Sequence, residues 1–281
     1  MILICVTLVF DACISNAREY TNVTKNDNYV VLLDLSDRII QKPDQVDIDT
    51  NAITAVFKKF ENSVQRNMVV KSGDKFAIRI IPQKNSNLSE NMFENVLSID
   101  MSKYNAAEKM RHLNEFKSKF SNQLRILYQQ AILGNRNTDF AGVDIWQYFN
   151  EQINNDLNAE CNNKVLVLTD GYFDFEDKNH GIYLATNATV TAPLLKKMNS
   201  LQWRKQSDEN NTGLIPVKLD VEAKWLICGI QPKTTSKDLL EAEKLVYLWK
   251  KWLVQSGAKN VSEPIINSSS SKIGNLIYKN L

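Results

Sequence analysis

The sequence predicts an α/β fold with a doubly wound, mainly parallel sheet and helices on both faces. Three features point to it: apolar runs that end in a carboxylate, amphipathic segments that alternate with those runs, and a composition able to bury a sizeable core. The 281 residues are 43% hydrophobic and 23% charged, and nine glycines with six prolines are too few for a collagen-like or low-complexity chain. Lys and Arg number 34 against 32 Asp and Glu, a formal net charge of +2, so bulk charge gives no reason to expect nucleic acid as a partner.

In chain order, the first feature is the apolar run from Met1 to Phe10. It is shorter than the roughly 20 residues of a membrane-spanning helix but fits the apolar stretch of a secretory signal. Residues 1–20 are therefore read as a signal or lipoprotein segment, with Cys13 as the candidate lipid-bearing membrane tether. Residues 21–281 are read as one domain, exported or anchored on the cell envelope. No Lys or Arg precedes Arg18, so a cytoplasmic protein that opens on a buried strand is the alternative.

The run Tyr29-Val-Val-Leu-Leu-Asp34 reads as a strand buried on both faces. Ile53, Val56, Phe57, Phe60 and Val64 recur at helical spacing, which predicts a helix over 49–64 capped by Asp49 or Thr50. Residues 76–81, closed by Pro82, and 96–101 read as two strands separated by a polar loop over 83–91. A long helix is expected over 106–133, ended by Gly134-Asn-Arg-Asn137, and a shorter one over 143–153. Lys164-Val-Leu-Val-Leu168 then runs into Thr169-Asp170-Gly171, a second acid-tipped strand. A helix over 190–204, a strand over 223–230, a helix over 238–255 and a last strand over 261–266 complete the pattern. Trp249 and Trp252, interleaved with leucines at helical spacing, read as core.

Asp34 and Asp170 thus both fall at the carboxyl ends of strands, where open α/β sheets bind ligands. Two carboxylates at one sheet edge repel each other unless a cation, an arginine or hydrogen bonds compensate them. Asp34-Leu-Ser36-Asp-Arg38, Thr138-Asp139-Phe-Ala-Gly142 and Thr169-Asp170-Gly171, in that order, resemble the von Willebrand factor A-type domain, and the resemblance extends over 29–266. It implies a Rossmann-like three-layer sandwich with a metal-ion-dependent adhesion site. By position, Asp34, Ser36, Thr138 and Asp170 match the residues around its divalent cation. The implied ion is Mg²⁺, or Mn²⁺ or Ca²⁺ in its place, and the implied ligand is an acidic group on a protein partner. Carboxylate and hydroxyl oxygens suit such a hard cation.

One position departs from the family pattern: Arg38 stands where a second serine is expected. A guanidinium there could neutralise the carboxylates with no metal, giving an Asp34/Asp170/Arg38 salt-bridge network and a scaffold with a degenerate site. Asp37 and Asp139 add negative charge that favours a cation. The competing enzymatic reading is a Mg²⁺-dependent phosphohydrolase with Asp34 as nucleophile. Against it, haloacid-dehalogenase-type phosphatases, which such a site would resemble, carry a second aspartate two residues after the nucleophile where this chain has Ser36, and no histidine adjoins either strand tip. Asp174, Glu176 and Asp177 lie just after Asp170 and could border the site, with a solvated loop as the default, and His180 reads as a surface histidine. Cys161 and Cys228 are the two cysteines of the body; spacing alone does not decide whether they are bridged. Without a C-x-x-C pair, and with His112 and His180 far apart, they offer no zinc site.

Overall fold

A computed structural model describes residues 25–83, 88–134, 142–175 and 181–281. The elements follow one another as β1 (Asp27–Leu33), α1 (Arg38–Gln41), α2 (Gln45–Arg66), β2 (Lys75–Ile80), α3 (Glu90–Val96) and β3 (Ser98–Asp100). After a short 3₁₀ turn come α4 (Lys109–Gly134), α5 (Ile145–Glu151), α6 (Ile153–Asp156), β4 (Asn162–Leu168), β5 (Asn187–Ala188), α7 (Ala192–Lys197) and α8 (Trp203–Glu209). The chain closes with β6 (Gly213–Leu214), β7 (Ala223–Ile230), α9 (Glu241–Gln255), β8 (Asn260–Val261), β9 (Ile265–Ile266) and α10 (Ser270–Asn280).

The main sheet has the order β3-β2-β1-β4-β7-β8, with β9 also on β7. Every pairing in it is parallel except β2 with β3. Strand order runs outward in both directions from β1 and β4, so the crevice of a doubly wound sheet lies where those strands end, beside Asp34 and Thr169. Alternation along β1 sends Tyr29, Val31 and Leu33 into one core and Val30 and Leu32 into the other. The first core is closed by α2, α4 and α10 around Phe57, which stacks on Phe60 and Phe120, and Phe76, which meets Phe120 edge-on. The second is closed by α5 and α9, where Phe149, Trp225, Trp249 and Trp252 interlock. Trp249 and Trp252 are fully buried, as expected.

Several elements depart from the sequence reading. Helix α2 begins four residues before the expected start, so Asp49 is an interior, buried helical residue and not a cap. Val96 closes helix α3 within the segment read as loop and strand, leaving β3 only three residues. The expected helices over 143–153 and 190–204 each divide in two. The last strand divides into β8 and β9 around Pro264, whose missing N–H cannot join a ladder. Helix α10 lies beyond the segments read as structured. It buries Ile273 and Ile277 against α2, and Asn51 and Lys59 donate to its Ser270 and Tyr278 carbonyls at 3.0 and 2.7 Å.

Cys161 and Cys228 are both buried free thiols. The β4–β7 register pairs Cys228 with Leu168, seven residues beyond Cys161, a span of roughly 20 Å along the strand that no disulfide bridges. The segment containing Cys5 and Cys13 lies outside the described residues, and among those described no helix is long and apolar enough to cross a membrane.

Candidate functional site

Strand β1 delivers Asp34 and strand β4 delivers Thr169 and Asp170 to the same edge, because Leu33 pairs with Leu168 and the Asp34 amide donates to the Leu168 carbonyl at 3.0 Å. The side chains interlock. The Ser36 amide donates to Asp34 Oδ1 at 2.9 Å, and the Thr169 hydroxyl donates to Asp34 Oδ2 at 2.8 Å while accepting from the Gly171 amide at 3.0 Å. Asp170 Oδ1 accepts from the Tyr172 amide at 3.2 Å. Asp34, Ser36 and Asp170 are all buried. Gly171 turns the chain sharply here with φ of 99°, a conformation glycine adopts without strain, and Trp249 Nε1 fixes the turn by donating to the Gly171 carbonyl at 3.0 Å.

Arg38 does not lie across the two carboxylates. Its guanidinium makes a two-pronged ion pair with Asp49 on α2, at 2.7 and 2.9 Å, and one nitrogen also donates to the backbone carbonyl of Asp34 at 3.1 Å. Gln45 and Tyr128 complete the Asp49 shell at 2.8 and 3.0 Å. This replaces the expected Asp34/Asp170/Arg38 salt-bridge network: Asp49, standing on the apolar face of α2, is a buried charge that requires a cation, and Arg38 supplies it. The pocket for Arg38 depends on Gly229, whose φ is 100°. A Cβ there would stand 2.9 Å from the Thr169 carbonyl oxygen and 3.2 Å from Arg38 Nη2.

With Arg38 committed elsewhere, neither Asp34 nor Asp170 has an ion-pair partner among the described residues. Burial raises the Asp34 carboxyl above the usual range, against the opposing pull of the Arg38 charge and the Ser36 and Thr169 hydrogen bonds. Burial and then the neighbouring Asp34 charge push Asp170 up to about 7. Asp37, expected to add charge, engages Gln41 at 2.6 Å on the surface side of the loop.

No family model matches the chain, and no curated protein matches it. Among solved structures it is similar to the pilus adhesin SpaC of Lactobacillus rhamnosus GG, with 10% identity over 92% of this chain and 30% of that one, at a TM-score of 0.41. It is similar also to proximal thread matrix protein 1 of the mussel byssus, with 11% identity over 91% and 46% of the two chains at 0.39. A von Willebrand factor type A protein from Catenulispora acidiphila shares 7% identity over 91% and 42% at 0.36. This chain spans less than half the length of each of these structures, and likenesses this slight carry no argument about function.

Of the four expected cation-site residues, Asp34, Ser36 and Asp170 come together at the edge, and Thr138 lies outside the described residues, as do Asp139, Glu176, Asp177 and His180. Among the described residues no group of three or more His, Cys, Asp or Glu is placed to hold a metal ion, so any ion at this edge would depend on hydroxyl and water oxygens as well as on the two carboxylates. The sequence reading assigns no role to Thr169 or Lys233 and takes Asp174 as a loop acid that could border the site. Thr169 orders Asp34 by a direct hydrogen bond. Asp174 is pinned by the Thr191 hydroxyl and Ala192 amide at 2.7 and 3.2 Å. Lys233, on the loop after β7, pairs with Asp174 at 3.1 Å. Asp49 was legible as an acid at a core position of an amphipathic helix, whereas Lys233 carried no local signal.

Proposed function

We propose that this chain is a von Willebrand A-like protein-interaction module, a single domain over 21–281. In this reading Asp34, Ser36, Thr138 and Asp170 hold a divalent cation, Mg²⁺ in the first instance, at the carboxyl edge of the sheet. The observation that carries the reading is the buried pair Asp34 and Asp170, on adjacent strand tips, which has no ion-pair partner among the described residues because Arg38 is paired with Asp49. Two carboxylates and neighbouring hydroxyls form a hard, all-oxygen donor set suited to Mg²⁺, which keeps several waters and would leave a coordination position for an acidic side chain. The cation would supply the positive charge that receives such a group; the chain's own residues fix the carboxylates.

The module is read as non-enzymatic. Ser36 occupies the place a phosphoryl-transfer acid would need, and His112, the one histidine among the described residues, stacks on Tyr104 at the surface. Export, with Cys13 as tether, belongs to the same proposal through the N-terminal apolar run. Calorimetric titration of Mg²⁺ and Mn²⁺ into the protein at pH 7.5 tests the reading. A saturable heat with about one ion bound, absent in Asp34→Ala, is expected. No heat and no rise in melting temperature with either ion would overturn it.

A further inference from the structure

The rim of this edge carries one cation built into place. Lys233 Nζ sits 3.1 Å from Asp174 Oδ2 and 4.6 Å from the centre of the Tyr172 ring, and the Lys233 amide donates to the Tyr172 hydroxyl at 3.0 Å. Each of its partners is itself held. Asp174 is fixed by Thr191 and Ala192, and the Tyr172 hydroxyl also donates to Glu241, which anchors the loop to the start of α9. The same Tyr172 binds Asp170 through its amide, and two residues before Lys233 the Gln231 amide donates to the Asp170 carbonyl at 3.0 Å. The chain on both sides of the lysine–tyrosine contact is thus tied to Asp170, through the Tyr172 amide and the Gln231 amide. Unlike Arg38, which is fully buried, the Lys233 side chain is 46% exposed.

An exposed lysine–aspartate pair contributes little to stability, so this degree of fixation is out of proportion to a role in folding alone. We propose that Lys233 is a second recognition point beside the cation site, and that together they select a partner segment bearing two neighbouring carboxylates. One carboxylate is received at the Asp34/Asp170 cation and the other by Lys233, which exchanges or shares its bond to Asp174. The fixed ammonium loses little side-chain freedom on binding, which is where a pre-organised contact gains over a mobile one. The inference rests on the cation site and adds the chemistry of its ligand: a dicarboxylate pattern, as in adjacent acidic side chains, in preference to a single acid.

The test uses succinate and acetate as probes, titrated into the full chain in saturating Mg²⁺ and followed by amide chemical shifts. Succinate is expected to bind about tenfold more tightly than acetate, the scale of one added charge-assisted hydrogen bond. Lys233→Gln should erase that preference while leaving acetate binding and Mg²⁺ affinity within about threefold, and Lys233→Arg should restore most of it. Equal preference for succinate in wild type and Lys233→Gln, with Mg²⁺ still bound, overturns the inference and leaves the cation site standing. Absence of Mg²⁺ binding in the wild type overturns both.

Discussion

Strand β1 carries an aspartate at each end of its run, and the two ends of the sheet treat their acids in opposite ways. At the amino edge, Asp27 accepts from Lys164 at 2.6 Å, Ser63 at 2.7 Å, Arg66 at 2.8 Å and Asn162 at 3.2 Å. Its neighbour Asp74 accepts from the Asp27 amide, Ser63, Asn67 and Ser72. Burial alone would raise the Asp27 carboxyl, but Lys164 and these hydrogen bonds outweigh it and hold the group below its ordinary value. At the carboxyl edge, Asp34 and Asp170 are as deeply buried yet have no paired cation among the described residues, and both are raised. The chain evidently can neutralise a buried acid pair, and does so at the edge away from the crevice. An unneutralised pair at the other edge is therefore a feature that folding does not require, and it coincides with the place where doubly wound sheets bind ligands.

The contrast can be broken by mutation. The largest effect is expected at Arg38, because Arg38→Met strands the buried Asp49 carboxylate: a loss of about 3 to 5 kcal/mol in urea unfolding, with much of it recovered in Arg38→Met/Asp49→Leu. If Arg38→Met were tolerated and instead changed only ion binding, Arg38 would belong to the site and the contrast would fail. Asp27→Ala should cost about 3 kcal/mol in the same measurement, since Lys164, Ser63 and Asn162 lose a shared buried acceptor.

The opposite sign is expected at the carboxyl edge. A carboxyl whose folded pKa is raised binds more protons in the native than in the unfolded chain, so its contribution to stability grows as pH falls from about 8 toward the unfolded value near 4. With divalent ions chelated, wild type should gain about 2 kcal/mol relative to Asp170→Asn between pH 8 and pH 5.5, by the cost of about 1.4 kcal/mol per pH unit traversed below the raised value. At pH 8, Asp170→Asn should itself melt higher than wild type, an order that saturating Mg²⁺ reverses. A wild type that loses stability relative to the variant on acidification would show that Asp170 is compensated after all. The smallest effect should be at Gly229→Ala, about 1 to 2 kcal/mol, from the left-handed backbone and the contact with the Thr169 carbonyl.

Much of this contrast was legible in the sequence. The acid tips of β1 and β4 follow from apolar runs that end in Asp34 and Asp170, and further apolar runs alternating with segments of helical spacing assign most elements around them. The boundaries that failed did so for tertiary or local reasons: Pro264 splits the last strand, and α2 extends back to Gln45 because its first turn buries Gln45 against Asp49. The fate of Arg38 was the decisive unknown. Sequence placed it four residues from Asp34 and offered the strand-tip aspartates as partners, while its actual partner waited eleven residues away on the face of a helix. Periodicity shows that Asp49 sits among core positions, but not that its neighbour across the sheet edge would be the arginine. Lys233 is further still, brought to Tyr172 only by the parallel pairing of β4 with β7.

The central claim is that the uncompensated edge, and not the compensated one, takes the cation. Electron paramagnetic resonance of Mn²⁺ titrated at pH 7.5 into wild type, Asp27→Asn, Asp34→Asn and Asp170→Asn counts the ion bound in each. The account predicts about one bound Mn²⁺ in wild type and in Asp27→Asn, and a loss of at least tenfold in affinity in Asp34→Asn and Asp170→Asn. Binding that survives both carboxyl-edge substitutions, or that disappears in Asp27→Asn while that variant remains folded, would contradict it.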